Sequence, residues 1–452
     1  MKKKYVRWTL WTIASPFILF IILCILIYLP PIQNFLVDKA AVYASEATGM
    51  NISVGRISLS FPLNLVVTNV DAASPHNDTL LSVRRLQVNV QLLPLLKKQV
   101  EVDGISLQGA TVNSNDLIHG MKLNGTLGEL FISSHGVALD PETAIVNKVL
   151  LKDTDLSLCL NDTAAADTAA SDTAYWKIIL QDIDLQNVSF ALDMPLDSLS
   201  LAASLDNAIL RDGLIDLHKS AYSLQTFRIE NGRVRYDNGK PLAADSLSSG
   251  LDPSHIALTD IGVKLDSLYY GGRNMKAIIS QFVLKERSGV EIVSATGRMV
   301  SNDKVLRVPS LKLETRDSYL ELNAAMDWNA LDFKDEGLVS ARLMADIGKP
   351  DVVRFMGSMD EKFIRQYPSE PLRIRTGIDG DLNKLKLTTL TAELPGALGL
   401  FARGELTHLT DSLLRGGDIT LEAETKDLKF VSTLAEGIEI PYGTRLEGKF
   451  TM

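Results

Sequence analysis

The chain has 452 residues, 46% of them hydrophobic, and a formal net charge of −9. That apolar content excludes a disordered chain and suffices for about two to four ordinary domains or one long repetitive one. The first thirty residues hold Lys2, Lys3, Lys4 and Arg7 and no acid, so the remainder carries −13, the −9 of the whole less the +4 of that segment. An acidic body excludes nucleic acid as partner, because phosphate contacts need clustered Lys and Arg.

Residues 8 to 29 read "WTLWTIASPFILFIILCILIYL" without a charge, and about 20 apolar residues in a helix span the hydrocarbon core of a bilayer. The run is longer than the apolar part of a cleaved signal peptide and ends in "YLPPIQ" rather than at a small-residue site, so it is read as an uncleaved transmembrane anchor. Trp8, Trp11, Phe17, Phe20 and Tyr28 are its aromatic residues. The basic residues before it place the N-terminus in the cytoplasm and the rest of the chain on the far side of the membrane. Of the two cysteines, Cys24 lies in this run and Cys159 far from it, so no disulfide framework exists. Ile22 and Leu23 stand where a lipoprotein signal wants small residues. In residues 32 to 48, Ile32, Phe35, Leu36 and Val42 fall near one face, with Pro31 to open and Gly49 to close a short amphipathic helix.

From residue 52 the hydrophobic period becomes two. In "RRLQVNVQL", Leu86, Val88, Val90 and Leu92 fall on one side and Arg85, Gln87, Asn89 and Gln91 on the other, as in a strand with one apolar face. The pattern recurs at Leu156, Leu158 and Leu160, at Phe227, Ile229, Val234 and Tyr236, and at Leu311 and Leu313. It returns at Leu320, Leu322 and Met326, at Leu385 and Leu387, and at Ile419 and Leu421. Asn-Gly at 231 and 238, Asp-Gly at 212, and Gly-Gly at 271 and 416 are turn signals that predict hairpins and meanders. At about 13 residues per strand with its turn, the stretch would hold about 30 strands.

Helical signals here are few. The best is residues 349 to 367, opened by Pro350 and Asp351 and closed before Pro368. One such helix cannot cover hundreds of residues of strand. The apolar faces must therefore pair with each other, close into a barrel or solenoid, or hold something that is not protein. A curled sheet, wet outside and oily inside, would be a groove for acyl chains, since each buried CH₂ is worth about 0.8 kcal/mol. Its candidate lining residues are Leu86, Val88, Val90, Leu156, Leu158, Leu311, Leu313, Leu320, Leu322, Leu385 and Leu387.

The segments "ISVGRISLSFPLNLVVTNV" and "LLSVRRLQVNVQLLPLLKKQVEVDGISLQGATVN" resemble the N-terminal region of the AsmA-like proteins, and within them the TamB-like branch. The positions that carry the resemblance are Val54 to Ile57, Phe61 to Leu65, Leu80 to Val83, Pro94 to Leu96, and Leu107 to Val112, behind an N-terminal anchor. The resemblance covers residues 1 to about 113. It implies a mainly β fold: a transmembrane helix followed by a long, curled, amphipathic antiparallel sheet, groove or taco-like and chorein-type, with few short helices. It further implies a single-pass inner-membrane protein whose bulk is periplasmic, carrying membrane phospholipid toward the outer membrane in outer-membrane biogenesis. The other function it implies is a scaffold for outer-membrane protein assembly or secretion, with an Omp85-type barrel protein as partner. TamB-like proteins are much longer, and this chain stops in mid-pattern at "GTRLEGKFTM", so it reads as an N-terminal portion or a short relative.

The expected organisation is a tail and anchor over 1–30, a short helix over 31–49, an AsmA/chorein-like β segment over 50–160 and a disordered loop over 161–174. β-groove repeats over 175–348, a helical insert over 349–368 and a further β-groove segment over 369–452 complete it. The loop, "NDTAAADTAASDTA", has no large apolar side chain. Its Asp-Thr-Ala triplets, with Thr163, Thr168 and Thr173, are similar to an O-glycosylation sequon of exported proteins in one bacterial phylum, although Asp-Thr also simply starts turns. Nothing in the sequence reads as an enzyme. The six histidines are scattered, "GTRLEGK" at 443 to 449 is followed by Phe450 rather than Ser or Thr, and no nucleophile elbow or dinucleotide loop occurs. No metal and no cofactor is expected.

Overall fold

The computed structural model describes residues 39 to 451, except 40, 44, 47, 61–63, 75–77, 92–101, 115–119, 140–141, 162–174, 241–249, 335–336, 357–360 and 434–441. The anchor residues Trp8, Trp11, Phe17, Phe20 and Tyr28 lie outside the described residues, as do Thr163, Thr168 and Thr173. No described helix is long and apolar enough to cross a membrane. The chain divides into two units, Met1–Ser171 with Ile179–Leu196, and Asp172–Ile178 with Asp197–Met452. Both are mainly β, with 21 strands among the described residues rather than about 30. Strand length accounts for the difference, since the longest reach 19 residues.

In the first unit, the described residues between 39 and 48 are helical, and Gly49, at φ 70°, donates its N–H to Ser45 O at 2.9 Å. Seven strands follow: β1 (Asn51–Ser60), β2 (Asn64–Ala73), β3 (Thr79–Val90), β4 (Val102–Asn113), β5 (Met121–Leu139), β6 (Glu142–Leu160) and β7 (Lys177–Met194). β1 to β6 pair each with the next in antiparallel order. β7 breaks that order. Side-chain hydrogen bonds join it to β6 at Asn147 and Gln181, Asn187 and Asp153, and Ser189 and Asp155, always 34 residues apart. A constant difference in residue number belongs to strands running the same way, and a parallel pair needs a long connection. β6 ends at Leu160 and β7 begins at Lys177.

The second unit is an antiparallel meander. Strand β8 (Leu199–Asp216) pairs with β9 (Ala221–Leu224) and β10 (Thr226–Asp237), and both of these pair with β11 (His255–Gly271). The order then continues through β12 (Asn274–Glu286), β13 (Glu291–Ser301), β14 (Val305–Thr315), β15 (Tyr319–Asp327) and β16 (Leu338–Ile347). It ends with β17 (Leu372–Asp381), β18 (Lys384–Leu394), β19 (Leu398–Thr407), β20 (Gly416–Thr425) and β21 (Arg445–Thr451). Asn238-Gly239 and Gly271-Gly272 end strands as turn signals should, but Asp212 and Asn231, with the glycines after them, lie inside β8 and β10 at φ 51° and 52°. A bulge asks for the same left-handed backbone as a turn, and Asn and Asp supply it in either place.

In the second unit the α-helices among the described residues lie at strand ends. They are α1 (Trp328–Leu331), α2 (Lys349–Phe355) and α3 (Glu361–Gln366), so the single helix expected over 349 to 367 is two. Phe363 and Tyr367, at and after α3, pack with Phe430, Leu394 and Ala397. The three rings meet at centroid distances of 5.1 to 5.8 Å, the range in which tilted aromatic pairs attract. This cluster sits where β17 and β19 begin and β18 ends. A second, of Ala330, Val339 and Leu382, sits at the other ends of the strands. Asp351 in α2 is almost wholly buried. It accepts hydrogen bonds from Thr315 Oγ1 and, at 2.6 Å, from Ser318 Oγ, and pairs with Arg354 at 3.1 Å. A carboxylate so enclosed is tolerable only because every partner is charged or donating.

Two consequences are measurable. Asp351→Ala leaves the Thr315 and Ser318 hydroxyls without this acceptor, while Arg354 keeps Asp317 at 2.8 Å, and should cost about 2–4 kcal/mol. Hydrogen exchange should quicken at residues 315 to 318 and along α2 while β1 to β6 are unchanged. Burial in the aromatic cluster raises the pKa of Tyr367. Unfolded tyrosine ionises near pH ~10, so above that pH the unfolded chain loses a proton that the folded chain keeps, and stability falls as pH rises. Alkaline denaturation of Tyr367→Phe should lack that part of the slope.

Candidate functional site

Residues directly opposite in a sheet share a face, so the register shows what each face presents. In the first unit Leu59, Leu65, Val88, Ile105, Ile132 and Val149 form one unbroken cross-strand ladder from β1 to β6. Ile57, Val67, Leu86, Leu107, Leu130 and Leu151 form the next. Every member of both is apolar.

The second unit repeats this at greater width. One ladder crosses thirteen strands. It begins with Ala208, Ile229, Val263, Phe282 and Ala295, passes Leu313 and Leu320, and continues through Ala345, Ile374, Ala392, Leu400, Ala423 and Leu446. Beside it Leu210, Phe227, Leu265, Ile279 and Gly297 lead to Leu311, Leu322 and Leu343, then to Thr376, Leu390, Ala402, Leu421 and Gly448. Thr376 is the sole polar member of either ladder.

These faces are not covered by a second layer of described residues. In the ladder that begins at Ala208 only the alanines Ala208, Ala295 and Ala345 are buried, while the large side chains are half-buried and Leu446 is 49% exposed. In the first unit the buried apolar residues are Ala72, Leu80, Val83 and Ala110, none of them in the two ladders. A protein core would hide its leucines, not its alanines.

The opposite face is ionic. Lys285 meets Asp260 at 2.8 Å and Glu291 at 3.8 Å, and these carboxylates, Asp260 first, hold its pKa above the usual lysine range. Glu321 accepts from Tyr319 Oη at 2.8 Å and raises the pKa of that phenol. Hydrogen bonds from Thr451 and then Lys449 lower that of Asp418. Asp252 is held low chiefly by its hydrogen bond with His255, 2.8 Å away, and by the Ser254 N–H. Among the described residues no group of three or more His, Cys, Asp or Glu is placed to hold a metal.

Of the sequence-predicted lining residues, Leu86 and Val88 stand in the two ladders of the first unit. Val90 faces Val102 near the ends of β3 and β4, and Leu156 and Leu158 face Gly125 and Leu123. Leu311, Leu313, Leu320 and Leu322 adjoin one another as two facing pairs in the second unit. Leu387 faces Ile378 and Gly404, whereas Leu385 packs against the cluster of Ala330, Val339 and Leu382 at the strand ends.

The period-2 reading does not explain how the apolar face stays continuous. In each strand of the first unit alternation breaks at one level. Val54 and Ile57 in β1, Val83 and Leu86 in β3, and Leu151 and Thr154 in β6 flank two residues with no large apolar side chain. Gly55, Asn69, Arg84, Gly109, Gly128 and Asp153 mark this level on β1 to β6 and are left out of the paired register. Asn69, Gly109, Asp153 and Asn187 have φ between 51° and 61°, or 50° for Asp153. The exposed pairs Gly55-Arg56, Arg84-Arg85 and Lys152-Asp153 show both residues turned to the polar face, which returns the next apolar residue to the apolar face. Because each strand makes the same shift, neighbours stay in step. The signal lies in the sequence as two successive polar or glycine residues between apolar alternations, as in "SVRRLQV".

Each unit is a largely antiparallel amphipathic sheet, with one face apolar and the other ionic among the described residues. In comparisons with known proteins, no protein-family model and no curated protein matches the chain.

A Cβ on Gly128 would stand 2.8 Å from Asp153 Cβ and its carbonyl oxygen. Gly128→Ala should therefore force β5 and β6 apart at this level and cost about 1–3 kcal/mol, read as faster hydrogen exchange in those two strands. Gly399→Ala, where a Cβ meets nothing within 4 Å, is the control and should leave exchange unchanged.

Proposed function

We propose that the chain is an inner-membrane-anchored, periplasmic lipid carrier of the AsmA-like, TamB-like kind. Residues 8 to 29 hold it in the membrane, and phospholipid acyl chains pass along the apolar sheet faces toward the outer membrane in outer-membrane biogenesis. The observation that supports this reading most is the thirteen-strand ladder in which Ala208, Ala295 and Ala345 are buried while every larger side chain is half-buried or exposed. Such a surface is stable in water only when something apolar lies on it, at about 25 cal/mol for each Å² removed from water. The partners on this reading are membrane phospholipids and the inner membrane, and no reaction is catalysed.

The test is mass spectrometry of lipid extracted with the purified full chain. Several phospholipids per chain are expected, and fewer from Val88→Asp with Leu313→Asp, a pair chosen to charge one ladder in each unit. Both substitutions replace half-buried residues, so circular dichroism should be unchanged. A folded protein with no more lipid than its charged variant would sink the carrier reading and favour an anchored scaffold for an Omp85-type partner.

A further inference from the structure

We propose that one set of strand ends in the second unit docks on the surface of a phospholipid bilayer. The cluster of Ala330, Val339 and Leu382 brings α1 and the turn after β19 together through Leu409. Around it, large apolar side chains point into water instead of joining it. Leu331 is 40% exposed, Phe333 77%, Leu338 59%, Leu413 92% and Leu414 61%.

Hydrogen bonds hold these tips outward. Phe333 has φ 56°, a conformation that bulky residues rarely take, and its N–H donates to Ala330 O at 3.0 Å. The Leu413 and Leu414 N–H groups donate to Asp411 Oδ1 at 2.8 and 3.4 Å. At the start of α1, Trp328 donates from Nε1 to Asn302 O at 2.6 Å, with the Arg273 guanidinium 5.3 Å from its ring.

Area and charge select the occupant. Together the five side chains offer on the order of 600 Å², short of the roughly 800 Å² per partner of a stable protein interface. Aromatic and aliphatic tips, with Trp328 at the start of α1, suit the boundary between headgroups and acyl chains. The charges next to the tips are of both signs, Asp332 with Lys334 and Asp411 with Arg415, so attraction to anionic lipid is not the driving term. The occupant is a zwitterionic bilayer, and docking does not depend on lipid lying on the ladders.

The experiment uses the full chain with Cys24→Ser and Cys159→Ser and a single labelled cysteine, Phe333→Cys, Leu413→Cys or Phe355→Cys. Phe355 is also exposed, but at the opposite strand ends. With phosphatidylcholine vesicles carrying a nitroxide near the headgroup, an environment-sensitive dye at 333 and 413 should shift to the blue and lose most of its emission. Low and high salt should give the same result, and the dye at 355 should be unaffected. No quenching at 333 and 413, or equal quenching at 355, overturns the proposal. A blue shift without quenching, growing with protein concentration, also overturns it by identifying a protein as the occupant. Quenching at 413 with none at Leu322→Cys would sink the acyl-path reading and leave the docking standing.

Discussion

Everything in this molecule depends on the two-residue period of the strand. An apolar face several strands wide exists only if every strand presents its apolar residues in phase with its neighbours. A twisted sheet needs local breaks in that phase, and a break in one strand alone would throw its leucines onto the wet face. The first unit resolves the conflict by breaking every strand at one level, with Asn69, Gly109, Asp153 and Asn187 taking the left-handed backbone. The second unit uses the same device at Asn231 and Asp260, where the register between β10 and β11 is irregular.

The two faces contribute differently to stability. The ion pairs of the polar face are largely exposed, as with Lys384 and Glu405 or Arg373 and Glu393, and such pairs are worth roughly 0–1 kcal/mol each. The apolar ladders keep part of their burial in reserve. In the second unit most of the large side chains that reach full burial sit at the strand ends, around Phe363 and around Ala330. These clusters pin the ends of the strands, and no second layer of described residues covers the middle of the apolar face. A ligand that lies on the ladders and not on the unfolded chain stabilises the fold by mass action, so occupancy and stability are coupled.

Much of this was legible in the sequence. Alternation around Leu86 and Leu313 located strands with one apolar face, and Gly-Gly at 271 marked a hairpin. Asn-Gly at 231 misled, because the left-handed backbone that makes a turn also makes a bulge, and only the neighbouring strand decides between them. The parallel pairing of β7 was not legible, since it depends on side chains 34 residues apart. The helix over 349 to 367 divides because Asp351 commits α2 to the β14 and β15 hairpin while Phe363 commits α3 to the aromatic cluster. One periodic segment thus serves two anchor points.

On the reading proposed above, the ladders also explain how a bound chain would move. Strands lie about 4.8 Å apart, so an acyl chain lying across them meets a new apolar residue at each step. As it slides, methylenes leave one leucine and reach the next, and the roughly 0.8 kcal/mol per CH₂ is kept rather than lost. The residues of each ladder differ in size but hardly in polarity, so the energy of contact would change little from step to step. Conduction needs binding strong enough to admit the cargo and uniform enough to release it, and two neighbouring rows of almost wholly apolar residues would meet both conditions. Specificity for one lipid would require a polar group at a fixed place. Thr376, alone among the ladder residues, is the position where a headgroup oxygen could find one.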